Sequence, residues 1–142
     1  MTTDDNNSYK LDEQIGFALR KANQRHTAIF ARLIDANLTP TQFAVLARLL
    51  ERGMMTQNAL GRSVAMDGAT IKGVCDRLQR RGLVEAHRDE GDRRRIQLNL
   101  TAAGRELASG TIANAVRITS ETLRPLTRSE QKELLRLLDK IS

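Results

Sequence analysis

Cysteine, histidine and aromatic residues are all scarce in this chain of 142 residues, and each shortage closes a route to function. The single cysteine, Cys75, cannot build an internal disulfide framework or a cysteine-based zinc site. The two histidines, His26 and His87, lie far apart in sequence, and no cluster has metal-ligand spacing. Paired carboxylates and a glycine-rich phosphate motif are missing too, so no catalytic constellation is in view. The chain does not read as an enzyme, and no cofactor is expected. Aromatics make up 3% of residues, too few for a base-stacking platform, so a nucleic-acid partner would be duplex rather than single-stranded. There is no apolar run near the membrane-spanning length and no signal-peptide pattern. A soluble, cytoplasmic protein with no membrane partner is expected.

What is present is positive charge. There are 23 Lys and Arg against 17 Asp and Glu, a net charge of +6, which favours a polyanionic partner. The length fits one domain over residues 1–142, with helical extensions, and no internal repeat or low-complexity linker divides it.

Residues 1–8 are polar and expected to fray. Over 9–35, Leu11, Ile15, Ala18, Ala22, Ile29 and Leu33 recur at helical spacing and predict one long amphipathic helix, ended by Asn37-Leu38. Thr39, Pro40 and Gln42 then supply an N-cap, a first-turn proline and a capping box for a second helix. Its inner face reads as Phe43, Leu46, Ala47 and Leu50, and Arg52-Gly53 closes it. Thr56 caps a short third helix carrying Leu60 and Val64. Asp67 caps a fourth over 67–81, with Ile71, Val74, Cys75 and Leu78 inward and Gly82 just past its end. Thr101 caps a fifth through Leu107, Ile112, Val116 and Leu123, broken at Pro125. Thr127 to Glu130 is a second capping box, opening a final helix with Leu134, Leu135, Leu137, Leu138 and Ile141.

Between the fourth and fifth helices, residues 84–87 and 96–100 alternate apolar and polar side chains, as half-buried strands do. The loop joining them, Arg88-Asp89-Glu90-Gly91-Asp92-Arg93-Arg94-Arg95, is charged and makes a hairpin tip that points into solvent. Consecutive arginines there serve no core; they suit a polyanion with a narrow groove. Helix followed by basic hairpin is the layout of a winged helix. The fold class is therefore mainly α with a small β-hairpin wing, a winged helix-turn-helix over 38–101 flanked by helices at 9–36 and 102–142. The fourth helix would enter the major groove with its N-terminal residues at base edges: Asp67, Gly68, Ala69, Thr70, Lys72 and Gly73. Small residues let the backbones approach, and Thr70 can read a base edge or a thymine methyl. Asp76, Arg77 and Arg80 continue the exposed face. Thr56 and Gln57 open the preceding helix, and Asp92, Arg93 and Arg94 form the wing tip. An ordinary amphipathic helix with a solvated charged face is the plainer alternative, and the adjacent wing weighs against it.

These residues resemble the multiple-antibiotic-resistance regulator (MarR) family of winged-helix repressors. The matching pattern is Leu38-Thr39, Gln42-Phe43, Leu60, Asp67, Thr70, Arg77-Leu78, Arg81-Gly82-Leu83-Val84, Asp92-Arg93-Arg94, and Leu100-Thr101 with Gly104. The resemblance implies a homodimer made by the first and last helices. It also implies that Arg94 enters the minor groove and Asp92 steadies it. A departure is the pair Gly68 and Gly73, which lowers the helix propensity of the reading helix. The resemblance further implies a pseudo-palindromic double-stranded DNA operator and a small-molecule effector held between the first, second and fifth helices.

All four aromatics, Tyr9, Phe17, Phe30 and Phe43, fall in the first 43 residues, close to Arg20, Lys21, Gln24, Arg25 and His26. Ring faces with a guanidinium and an imidazole suit a planar carboxylate. The expected effector site is Phe17, Arg20, Gln24, Arg25, His26, Phe30, Phe43 and Leu46, for an aromatic carboxylate or its coenzyme A (CoA) thioester. Lys21, Arg25, Arg32 and Arg117 are the cations available to a CoA moiety. His26 lies on the apolar stripe, so it has either a structural partner or a ligand. Cys75 reads as a buried small hydrophobe, with oxidant sensing the alternative found in some relatives of the resembled family. A non-specific architectural DNA binder and a protein-interaction module remain the other function classes.

Overall fold

The computed structural model describes residues 8–34 and 37–142; the expected fraying of the N-terminus falls almost wholly outside them. Helices and a small sheet run in the order α1 (Ile15–Leu33), α2 (Pro40–Arg52), β1 (Met55–Thr56), α3 (Gln57–Ser63), α4 (Gly68–Arg80), β2 (Val84–Arg88), β3 (Ile96–Leu100), α5 (Ala102–Leu123) and α6 (Arg128–Lys140). The chain divides into two compact units, Ile34–Val116 and the stretches on either side of it.

In the central unit, α2 opens on the expected capping box. The Thr39 hydroxyl accepts from the Gln42 amide (3.2 Å), and Gln42 Oε1 accepts from the Thr39 amide (3.2 Å). Its inner face is not the expected one. Val45, Leu46 and Leu49 are fully buried with Gln42 beside them, whereas Phe43, Ala47 and Leu50 are only half-buried. Apolar residues nearly encircle this helix, so two helical phases fit the sequence and packing selects between them. Leu60, Ile71, Leu78 and Leu98 complete a core to which α2, α3, α4 and β3 all contribute.

The turn from α3 to α4 is built without glycine at the position that favours it. Ala65 takes a left-handed φ of 57°. The Met66 amide donates to the Gly61 carbonyl (2.9 Å) and the Ala65 amide to that of Arg62 (3.3 Å), satisfying carbonyls at the end of α3. At the end of α4 the same motif has its glycine. Gly82 has φ 71°, its amide reaches the Gln79 carbonyl (2.9 Å), and the Leu83 amide reaches that of Leu78 (3.0 Å).

The wing strands pair antiparallel from Val84↔Leu100 to Arg88↔Ile96. A third strand, β1, joins the other edge of β3 through Met55↔Leu98 and Thr56↔Gln97. Two residues are too few to show alternation, which is why the sequence pattern misses it. Thr101 then fastens α5 to this sheet. Its hydroxyl donates to the Gly82 carbonyl (2.6 Å) and accepts from the Gly104 amide (3.0 Å). A Cβ on Gly104 would lie 1.9 Å from the Leu83 carbonyl oxygen, so the backbones meet there with no room for a side chain.

In the flanking unit, α1 starts later than the periodicity implies. Leu11–Glu13 form a single 3₁₀ turn, and extended backbone at Gln14 interrupts the ladder before α1 begins. The apolar spacing runs through this break and cannot register it. At the other end α1 stops at Leu33, and the last expected helical position, residue 35, lies outside the described residues. The end carbonyls of Leu123 and Leu126 are met by Gln131 Nε2 (3.1 Å each), which turns the chain into α6. There the second capping box forms, with the Glu130 amide donating to the Thr127 hydroxyl (3.2 Å) and the Thr127 amide to Glu130 Oε1 (2.9 Å). No residue of α6 is buried in the single chain, and Leu135, Leu137 and Ile141 are 53%, 44% and 66% exposed.

Candidate nucleic-acid interface

The expected reading helix is continuous through both of its glycines. The carboxylate of Asp67 accepts from the Thr70 amide (2.7 Å), and this bond holds its pKa below the ordinary carboxylate value. Gly68, Ala69, Thr70, Lys72, Arg77 and Arg80 are exposed. A Cβ on Gly68 would meet nothing within 4 Å, and one on Gly73 only the Arg77 guanidinium at 3.6 Å. Neither glycine is demanded by packing within the chain. Lys72 Nζ donates to Asp76 Oδ2 (2.9 Å), so one cation of this face already has an anion. Ile71, Val74, Cys75 and Leu78 form the buried side, as read from the sequence. Cys75 has no exposed surface, and burial above all pushes its thiol up to about 11. It is protonated at neutral pH and shielded, the state of a packing group rather than a reactive one.

The wing loop is held by its own hydrogen bonds. The Asp89 amide donates to the Arg95 carbonyl (3.0 Å), and Asp89 Oδ1 accepts from Gly91 (3.0 Å). Asp92 uses Oδ1 to accept from the Arg94 amide and its carbonyl to accept from that of Arg95, both at 3.0 Å. The backbone is thereby fixed while Arg93, Arg94 and Arg95 stay exposed.

Two clefts flank the junction of wing and helices, sharing Gln57 and Ile96. One, of about 220 Å³, brings Thr56, Gln57 and Asn58 of the α3 start together with Arg62, Arg94 and Arg95. The other, of about 250 Å³, is lined by Lys72, Asp76 and Gln79 of α4 and by His87 and Arg88 of β2. Thr56 caps α3 through its hydroxyl, which accepts from the Ala59 amide (3.2 Å). Asn58, Arg62 and Arg95 were not among the expected contacts. Attention to the cap at Thr56 alone hides them, because only the pairing of β1 with β3 sets α3 beside the wing.

The expected effector residues divide between elements. Phe17, Arg20, Gln24, Arg25, His26 and Phe30 lie on α1; Phe43 and Leu46 lie on α2. On α1, Lys21 Nζ stands 4.7 Å from the centre of the Phe17 ring, while Arg20 and Gln24 are exposed. Arg25 donates to the carbonyls of Glu121 (2.8 Å) and Thr122 at the end of α5. His26 Nδ1 lies 2.9 Å from the Thr122 hydroxyl. The half-buried histidine therefore has a partner within the chain. Phe30 is buried, Phe43 half-buried, and Leu46 has no exposed surface.

Comparison with known proteins assigns the chain. The MarR family model matches residues 38–96. The transcriptional repressor NicR of Pseudomonas putida is 41% identical over 138 residues, spanning 96% of this chain and 87% of its own. This chain belongs to the MarR family. A probable transcriptional regulator from Pseudomonas aeruginosa, of known crystal structure, matches with a TM-score of 0.90 and 49% identity over 94% of this chain and all of that one. BpsR of Bordetella bronchiseptica matches with a TM-score of 0.88 and 38% identity, covering 94% of this chain and 96% of that one. Its structure concerns the mechanism by which 6-hydroxynicotinic acid regulates its DNA binding. As a MarR-family protein the chain is a transcriptional regulator with a DNA-binding winged helix, and not an enzyme. Among the described residues no helix is long and apolar enough to cross a membrane.

Proposed function

We propose that this MarR-family regulator is a cytoplasmic repressor that binds a pseudo-palindromic duplex operator as a homodimer and is released by an N-heteroaromatic carboxylic acid or its CoA thioester. The observation that carries the effector class is the nearly full-length similarity to BpsR, whose DNA binding 6-hydroxynicotinic acid regulates. Similarity to the repressor NicR supports the sign of regulation. The DNA-facing residues are those of α4 (Asp67, Gly68, Ala69, Thr70, Lys72, Gly73, Asp76, Arg77, Arg80), the start of α3 (Thr56, Gln57) and the wing (Asp92, Arg93, Arg94). Two copies of α4 enter successive major grooves, and the wing arginines follow the neighbouring minor groove. Dimerisation is assigned to 9–36 and 102–142, where α6 leaves Leu135 and Leu137 exposed. The effector carboxylate is assigned to Arg20 or Arg25, its ring to Phe17, Phe30 and Phe43, with Gln24, His26 and Leu46 completing the site. Release follows if the acid binds better to a dimer whose two reading helices no longer match the operator spacing.

The test is release of labelled operator, mapped first from the DNA upstream of the neighbouring gene cluster. 6-Hydroxynicotinic acid, related aromatic acids and their thioesters are added in turn. Release by members of this set, and not by cationic or lipid-like compounds, is expected; release only on oxidation of Cys75 would place the sensor elsewhere. His26→Ala then separates two roles. A ligand contact predicts weaker effector binding with operator affinity kept, and a purely structural partner of Thr122 predicts lower thermal stability and loss of both.

A further inference from the structure

Three arginines from two separate elements meet around the cleft at the start of α3. Arg62 comes from α3, and Arg94 and Arg95 from the wing loop. The pairing Thr56↔Gln97 fixes this meeting, because it ties the residue before α3 to the strand that follows Arg95. No carboxylate lines the cleft. Some other arginines have acidic partners, as in Arg48–Glu51 (3.3 Å), Arg32–Glu121 (3.8 Å) and Arg136–Glu133 (2.5 Å). Among the ion pairs of the described residues, none involves Arg62, Arg94 or Arg95. Like charges gathered in one concavity repel one another, and an external anion reverses that cost. Guanidinium forks match the oxygens of phosphate in pairs, and the Thr56 hydroxyl and Asn58 amide add uncharged donors.

The geometry points to a seat for one backbone phosphate of duplex DNA, held jointly by Arg62 of α3 and Arg95 of the wing, beside the Arg94 that the reading above sends into the minor groove. This rests on the DNA-binding reading above and adds to it a contact in which Arg62, Asn58 and Arg95 take part. The phosphate ties the wing to α3, so the wing and the helix-turn-helix engage one strand in a fixed register. About 220 Å³ accommodates a phosphodiester group, and the cleft shares Gln57 and Ile96 with the one lined by Lys72, Asp76 and Gln79 of α4.

The experiment titrates the full-length protein against a short, labelled, random-sequence duplex at several salt concentrations. Each phosphate neutralised contributes about 0.9 to the slope of log affinity against log salt. Arg62→Gln should lower that slope by about 0.9 per bound protomer, and Arg62→Lys should keep it. Lys140→Gln, which removes a charge from the end of α6, should leave the slope unchanged. Arg62→Gln with Arg95→Gln should lose less than the sum of the single losses, because both act on one phosphate. Strictly additive losses mean diffuse attraction and overturn the seat. If Arg62→Gln fails to fold, Arg95→Gln carries the same slope test. A normal wild-type slope that Arg62→Gln leaves unchanged overturns the seat alone, whereas no salt-dependent binding by the wild type overturns the DNA reading itself. Inorganic phosphate at matched ionic strength should displace DNA from the wild type more readily than from Arg62→Gln. Phosphate binding without any change in DNA slope would assign the cleft to free phosphate and overturn the proposal.

Discussion

The two units of this chain treat their leucines in opposite ways. In the central unit Leu46, Leu49, Leu60, Leu78 and Leu98 have no exposed surface, and four elements contribute to one core. In the flanking unit α1 and α5 bury Ile29, Phe30, Leu33, Ile118 and Leu123, yet α6 only half-buries Leu134 and Leu138, and α1 leaves Ile15 and Leu19 exposed. A fully buried leucine is stabilised by roughly 1.5–3 kcal/mol relative to an exposed one. Leu137 and Ile141, exposed beside the half-buried Leu134 and Leu138 on one side of this short helical segment, therefore form a face whose stabilisation is incomplete until something covers it. The central unit is built to hold a shape, whereas the flanking one leaves apolar surface open, which is the surface the proposed dimer would cover.

The strongest way to break this comparison is to remove α6. Deleting residues 127–142 should yield monomer or aggregate in sedimentation velocity, with binding to a palindromic operator abolished. A soluble dimeric truncation would mean that the leucines are mere surface. Within the central unit, Gly104→Ala is the matching insult. A methyl group placed 1.9 Å from the Leu83 carbonyl oxygen forces the backbones apart, and urea denaturation should show a loss of about 3 kcal/mol or more.

A third variant separates holding shape from binding. Arg94→Ala should leave the urea midpoint unchanged yet weaken operator binding by about 1–3 kcal/mol. Arg80→Ala should cost less and mainly flatten the salt dependence. Smaller still is Gly73→Ala, whose new methyl meets only the Arg77 side chain. It should stabilise α4 by about 0.5–1 kcal/mol. If close approach of DNA is why glycine stands there, operator affinity falls while the midpoint rises; a rise in both would remove that reason.

The smallest expected effect is one of pH. The pKa of Asp67 is lowered in the folded chain, chiefly by the amide of Thr70. A depressed carboxylate contributes stability that is present above its unfolded value of 3.8 and is lost as pH falls through the lower folded value. Asp67→Asn keeps a cap but no titration, so its stability should fall less steeply than the wild type below that value. Parallel acid limbs in urea midpoints across pH would show that the cap does not titrate in this way.

Much of this molecule is legible in the chain because the deciding interactions are local. Thr39 with Gln42 and Thr127 with Glu130 close their boxes three residues apart. Asp67 and Gly82 bracket α4, and its inner stripe follows from helical spacing alone. The wing strands declare themselves by alternation, and their loop by its charge and glycine. The candidate interface residues of α4 and the wing are picked out by the same local patterns, and their contacts with DNA are proposals.

Other features depend on partners distant in sequence, and only the tertiary structure decides them. The face that α2 turns inward was settled by what it packs against, since its apolar residues fit two phases. The strand β1 exists because β3 offers an edge to a two-residue segment. Arg62 meets Arg94 and Arg95 because that pairing brings α3 to the wing. His26 has its partner in Thr122, ninety-six residues further along the chain. Periodicity and capping report what a residue does for its neighbours in sequence, whereas a cleft is made where separate elements converge.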